Sequence, residues 1–280
     1  MLLAIDVNGV HFQVFDAGSG PTILFVHGFP LDHTMWHAQL EEFSKTHRVI
    51  APDLRGFGGT DGGLYSISME QFADDLAAIL ETLQVVGPII FCGLSMGGYI
   101  GWQFVQRHPD RLSKLIVCDS RAGADTAEAA ANRLRMADIV LREGSEAIAW
   151  AMMPKLFARC SSAHCPHVIA SVRAMVLNTD PRSIAAAHRG MAIRPDATAL
   201  LPRIHCPTLI LVGEYDQIST PVEMKSLADA LPNATFRLIK DAGHMAPMEQ
   251  PEAVNTVIRQ FISTPDLALK YGSPARSHQP

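Results

Sequence analysis

Gly93-Leu94-Ser95-Met96-Gly97 follows the apolar run Ile89–Cys92 and precedes a helix. A serine on so sharp a strand-to-helix turn is held at strained backbone angles, and flanking glycines remove the Cβ atoms that would clash. The turn lifts the hydroxyl clear of the sheet, and the helix start favours negative charge beside it. The chemistry this suits is nucleophilic attack on a carbonyl, which needs a base and an acid to orient that base. Asp216, in GEYDQISTP after the apolar run TLILVG, and His244, in DAGHMAPMEQP after FRLIK, stand where such partners belong. The order Ser95, Asp216, His244 is a known chain order for nucleophile, acid and base. Asp119, directly after KLIVC, and Glu214 compete with Asp216 for the acid's place. A fourth segment, His27-Gly28-Phe29-Pro30, follows the run TILFV, where a loop can aim a backbone N–H at a developing oxyanion.

The elements that must hold these residues alternate. Leu3–Val7 and Val10–Phe15 flank Asn8-Gly9, a hairpin signal. Thr22–Gly28, Arg48–Ala51, Ile89–Cys92, Lys114–Cys118 and Thr208–Val212 are short, nearly all-apolar runs of the kind that become strands covered on both faces. Thr235–Ile239 is a further strand with an alternating pattern. Met69, Phe72, Ala73, Leu76, Ile79, Leu80 and Leu83 form a helical stripe, opened by Ser68 and Gln71 as a candidate capping box. Val254, Val257, Ile258 and Phe261 give the closing helix a similar stripe. Strand and helix thus alternate from residue 22 to about 120 and again from about 207 to 263, which implies an α/β protein with a mostly parallel sheet. Between about 121 and 200 no strand run occurs and helical segments follow one another, one of them ending at Gly144. The expected division is a core first part at 1–120, a helical insertion at 121–200, a core second part at 201–264 and a loose polar tail at 265–280.

Composition narrows the classes further. The chain has 280 residues, 48% of them apolar and 18% charged, with a formal net charge of −5. That supports a buried core and gives no basic excess for nucleic acid. No apolar run approaches the roughly 20 residues of a membrane helix, and MLLAIDVNG does not resemble a secretion signal. The five cysteines are odd in number, and Cys92 and Cys118 lie inside apolar runs, so a reducing cytoplasm is the expected compartment. Cys160, His164, Cys165 and His167 cluster in sequence without paired metal-binding arms, and a polar loop or short helix is the simpler reading. There is no GxGxxG or P-loop pattern, so neither a nucleotide, a flavin nor a metal cofactor is expected.

HGFPLDHTMW, APDLRGFGGTD, GLSMGGYIGW, the Asp216 segment and DAGHMAPMEQPE resemble, in this order, the α/β-hydrolases of the small cap-bearing group. That group includes carboxylesterases, 3-oxoadipate enol-lactonases, C–C bond hydrolases and cofactor-free perhydrolases. The resemblance spans residues 27 to 252. It implies an α/β-hydrolase fold with a helical cap, Ser95 as nucleophile, His244 as general base and Asp216 as its orienting acid. The backbone N–H groups of Phe29 and Met96 would form the oxyanion hole. By the same resemblance His27 shapes the oxyanion loop, while Asp53 and Arg55 brace the loops around it. A serine at this position excludes the haloalkane dehalogenase and epoxide hydrolase readings, whose members use aspartate there.

The insertion supplies Met136, Trp150, Met152, Met153, Leu156, Phe157 and Met175, an adaptable apolar lid. Trp150, Met153 and Phe157 are the candidate substrate contacts, and the expected substrate is a small or medium carboxylic ester. Arg121, Arg133 and Arg135 stand near the cap entrance, and a carboxylate held there, by Arg121 or Arg133 above all, would instead suit an enol-lactone. Pro30 after the oxyanion residue resembles the perhydrolases and implies peroxide-dependent side activity. A ligand sensor on the same fold is the non-enzymatic alternative. The partner in each case is a small molecule, and the chain is a monomer or a homodimer.

Overall fold

A computed structural model describes residues 1–159 and 161–264. Eight strands form one sheet: β1 (Leu2–Val7), β2 (Val10–Ala17), β3 (Thr22–Val26), β4 (Arg48–Pro52), β5 (Ile89–Leu94), β6 (Leu112–Cys118), β7 (Thr208–Gly213) and β8 (Ala234–Ile239). Their spatial order is β1-β2-β4-β3-β5-β6-β7-β8. The first two strands pair antiparallel and β2 meets β4 antiparallel, whereas every pair from β4 to β8 is parallel. Strands β3, β5 and β7 are buried along their whole length, as β-branched and leucine runs require when helices cover both faces. Edge strand β8 is half-exposed, which explains its alternating sequence.

The hairpin turns where expected, with Asn8 and Gly9 both at positive φ and Val7 opposite Val10. Strand β5 runs two residues past the apolar stretch, because Gly93 and Leu94 still pair with Val117 and Cys118. This carries the sheet right up to Ser95.

Eleven helices are described: α1 (His37–Phe43), α2 (Met69–Thr82), α3 (Met96–Arg107), α4 (Ala127–Glu143), α5 (Ser145–Leu156), α6 (Ser161–His164), α7 (Pro166–Asn178), α8 (Pro181–Ala192), α9 (Pro221–Asp229), α10 (Ala246–Glu249) and α11 (Pro251–Ile262). None is long and apolar enough to cross a membrane. Ser68 does cap α2, accepting the N–H of Gln71, but the Gln71 amide turns to Asp75 and does not complete the box. A complete capping box occurs instead at Thr220 and Glu223, at the start of α9. Helices α4 to α8 lie between β6 and β7 with no strand among the described residues, α4 packing along α8 and α5 against α7. The tail expected from 265 to 280 lies outside the described residues, as does Cys160 of the cysteine-histidine cluster.

Candidate active site

The loops that leave the carboxyl ends of β3, β5, β6, β7 and β8 carry Phe29, Ser95, Asp119, Asp216 and His244. In open parallel sheets this is the edge where ligands bind. Ser95 has φ +52° and ψ −111°, a conformation that side chains rarely adopt. The surroundings fix it there: its N–H donates to the Cys118 carbonyl at 2.9 Å, and its own carbonyl accepts the Ser120 hydroxyl at 2.7 Å. A Cβ on Gly93 would lie 2.5 Å from the Gly97 carbonyl, and one on Gly97 would lie 2.4 Å from the Val26 carbonyl. Only glycine lets α3 approach the sheet this closely.

His244 and Asp216 are buried, and Ser95 is half-buried. The His244 Nδ1 is 2.8 Å from Asp216 Oδ2, and Nε2 is 2.9 Å from Ser95 Oγ. A carboxylate only accepts, so Nδ1 carries the hydrogen and Nε2 is left to accept from the serine hydroxyl. The other oxygen of Asp216 accepts the N–H groups of Ile218 and Ser219, at 2.7 and 3.0 Å. Glu214, the rival acid, instead accepts the N–H of Asp241.

On the opposite side, His27 is completely buried. Its Nε2 accepts the Leu54 N–H at 2.9 Å, so Nδ1 donates to the Gly28 carbonyl, also at 2.9 Å. Burial foremost holds it below its ordinary pKa, and the ring ties the Phe29 loop down as a neutral strut. Among the described residues, neither the Phe29 N–H nor the Met96 N–H donates to a protein acceptor. Asp53 braces the neighbouring loops, accepting from His33, Gly59 and Gln13, while Arg55 makes a two-pronged pair with Asp75.

The cap residues separate into different roles. Phe157 is buried, and its backbone lies against Gly243, the neighbour of His244. Met153 is partly buried against the core. Trp150 is not brought to the site: it faces solvent, 78% exposed, because the buried face of α5 is formed by Ile148, Ala149 and Leu156. Arg121 donates to the Ile218 carbonyl and lies 3.4 Å from Glu223, so it braces the Asp216 loop and does not reach into the cap. Arg133 pairs with Asp125, and Arg135 lies on the surface beside Asn132. A cavity of about 850 Å³ opens between α7 and the segment His33–Leu40, lined by Met175, Met248 and Phe15, and none of Ser95, Asp216 and His244 lines it.

Three groups were not anticipated from sequence. Glu249 is buried and grips both sides of His244, accepting the N–H of Gly243 at 2.8 Å and of Met245 at 3.2 Å. Its second oxygen accepts the N–H of Ala158 at 2.8 Å and the Ser161 hydroxyl, which ties the cap to the histidine loop. The available signal was an acid inside a run of Ala, Pro and Met. Glu249→Ala leaves these donors unmet and is expected to cost about 3 kcal/mol of stability and to lower kcat more than it raises KM. Urea unfolding and steady-state kinetics check both; unchanged stability would contradict the assignment.

His188, on α8, is the second. Its ring lies 4.6 Å from the Phe29 ring, and neither nitrogen has a partner among the described residues. Burial, aided by the Arg133 charge, pushes it down to about 3. The unfolded chain therefore takes up a proton below pH 6.5 that the folded one refuses, so this stability is complete above that pH and drains away as pH falls towards 3. Wild type should lose about 2 kcal/mol more than His188→Leu on going from pH 7 to pH 5. His27 acts in the same direction and His33, which Asp53 raises despite burial, in the opposite one; both are common to the two proteins. Parallel pH-stability curves would contradict this account of His188.

The third group is Asp125, buried between Arg133 and Arg194. Burial alone would raise its pKa, but the two guanidinium groups outweigh it and hold it below the usual carboxylate range.

Comparison with known proteins agrees with this architecture. Residues 21–251 match the family model described as alpha/beta hydrolase fold. A thermophilic esterase from Thermogutta terrifontis, solved with malate bound, superposes with a TM-score of 0.91 at 46% identity, over 94% of this chain and 98% of that one. An enol-lactonase from Burkholderia xenovorans gives 0.87 at 28% identity, covering 94% and 100%. In sequence, 3-oxoadipate enol-lactonase 2 of Acinetobacter baylyi is 26% identical over 257 residues, 92% of this chain and 94% of its own length. The chain belongs to the alpha/beta hydrolase family.

Proposed function

We propose that the chain hydrolyses small to medium carboxylic esters through an acyl-enzyme on Ser95. The observation that carries this reading is the unbroken line from Asp216 through His244 to Ser95 Oγ, at 2.8 and 2.9 Å. Oγ attacks the ester carbonyl carbon while its proton passes to His244 Nε2. The carbonyl oxygen becomes an oxyanion facing the N–H groups of Phe29 and Met96, each worth about 3 kcal/mol of barrier in sites of this kind. As the tetrahedral centre collapses, the C–O bond breaks and Nε2 returns the proton to the leaving alkoxide. Water, deprotonated by the same nitrogen, then releases the acid and restores Ser95. Asp216 holds the tautomer and stabilises the imidazolium throughout. Likeness to the Thermogutta esterase supports the ester class.

A second reading, a lactone bearing a carboxylate, has its own support. Arg133 and Arg194 meet at Asp125 in the cap, where guanidinium groups suit a substrate carboxylate, and enol-lactonases are among the relatives. Turnover of p-nitrophenyl acetate, butyrate and octanoate beside an enol-lactone, by wild type and by Ser95→Ala, separates the two. Appreciable ester turnover that vanishes in the variant is expected. Turnover of the lactone alone would move the assignment to the second reading, and an inert wild type that binds these molecules tightly would favour a sensor.

A further inference from the structure

Asp119 stands one residue past the end of β6, at φ +49° and completely buried. Its N–H donates to the Leu211 carbonyl, and its Oδ1 accepts the N–H of Gly213 at 2.8 Å, so β7 holds it from two sides. Oδ2 is equally buried and receives no hydrogen bond from any described residue. One oxygen of Asp119, one of Asp216 and a ring nitrogen of His244 all lie within 4.8 Å of one another.

Two carboxylates this close in a dry interior cannot both be ionised. Asp216 has three donors, from Ile218, Ser219 and His244, whereas Asp119 has one. The charge therefore settles on Asp216 and the proton on Asp119. Burial first, then the neighbouring Asp216 and Cys118, push Asp119 well above the usual carboxylate range, in agreement with the count of donors.

We propose that Asp119 is a positioning residue of the Ser95–His244–Asp216 triad: it donates its carboxyl hydrogen from Oδ2 to Asp216 and takes over the negative charge when Asp216 cannot carry one. The inference rests on the ester-hydrolase reading of that triad. In Asp216→Asn the like charge is gone and the new amide stands where it can donate to Oδ2; together these offset the burial that remains, so Asp119 releases its proton to solvent and an anion again stands near the imidazole. The groups facing it are Asp216 and His244 from the loops after β7 and β8, and Cys118 from its own strand.

The test compares variants on one ester with Ser95→Ala as the control. Asp216→Asn is expected to lose about 10- to 100-fold in kcat with KM little changed, and Asp119→Asn/Asp216→Asn about 10⁴-fold, the loss usual when no acid orients the histidine. Asp119→Asn, whose amide still donates, should keep at least about ten times the kcat of Asp119→Leu, which leaves Asp216 short of a donor. The kcat/KM profile should change shape in Asp119→Leu and keep it in Asp119→Asn, because only the leucine removes the donor to Asp216. Independently of activity, the infrared band of a protonated carboxyl group should be present in wild type at pH 7 and absent in Asp119→Asn. If Asp216→Asn is as impaired as the double variant, or the band is missing from wild type, the Asp119 inference is wrong. If Ser95→Ala remains active, it is the triad reading itself that fails.

Discussion

Ser95→Ala should lower kcat for an ester such as p-nitrophenyl butyrate by about 10⁴- to 10⁶-fold, because in the proposed mechanism nucleophile, base and acid act as one unit. The fold should survive: among the described residues the Ser95 hydroxyl bonds only to His244, while the strained backbone is held at Ser95's own main-chain atoms by the Cys118 carbonyl and the Ser120 hydroxyl. Loss of the methylol oxygen leaves those contacts in place. The unfolding midpoint should therefore stay where it is or rise, since a polar group in a strained turn is a site where stability gives way to function. Binding of substrate should change little, so KM serves as the internal check that the pocket is intact. A variant that loses less than about tenfold would place the chemistry on another residue.

The largest stability effect is expected at Asp125→Ala. Asp125 and Arg194 are each only 3% exposed at their side chains, with Arg194 Nη1 at 2.5 Å from the carboxylate. Removing the acid leaves two guanidinium groups side by side in the cap. Arg194 would keep the carbonyls of Met191 and Gly123 and the face of Tyr99, 4.2 Å away, with only the more distant, exposed Asp196 as a counter-charge. Breaking one partner of a buried pair costs about 3–5 kcal/mol, which for a chain of this size is about 10 °C in Tm. Thermal unfolding followed by circular dichroism measures it. Asp125→Asn, which preserves shape but not charge, should fall between the two. A loss under about 1 kcal/mol for Asp125→Ala would mean the arginines reach solvent or another acid.

What could be read beforehand follows the reach of local physics. The strands β3, β5, β6 and β7 are continuous β-branched and leucine runs, so period and length gave them away within a few residues. Ser95 announced itself through the two glycines that its turn requires. Asp216 and His244 were legible because each follows a recognisable strand at a short interval. Long-range partners were not. Nothing local in the sequence says that Glu249 reaches Ala158, 91 residues away, or that Arg121 would turn to Ile218, 97 residues away. Trp150 shows the opposite case: it was expected among the substrate contacts of an apolar lid, yet the small residues around it leave α5 without a clear apolar face, and it faces solvent. Asp119 was recognised only as a rival to Asp216, because the proximity of two acids on adjacent strands is a property of the sheet and not of either segment.

The proposed reaction passes through a covalent acyl-enzyme at one serine. Rapid quench of wild type with p-nitrophenyl butyrate, followed by intact mass and peptide mapping, measures it directly. The expected result is a single butyryl adduct on the peptide containing Gly93-Leu94-Ser95-Met96-Gly97, absent from Ser95→Ala. An adduct on a different residue, or turnover in Ser95→Ala at the wild-type rate, would contradict it.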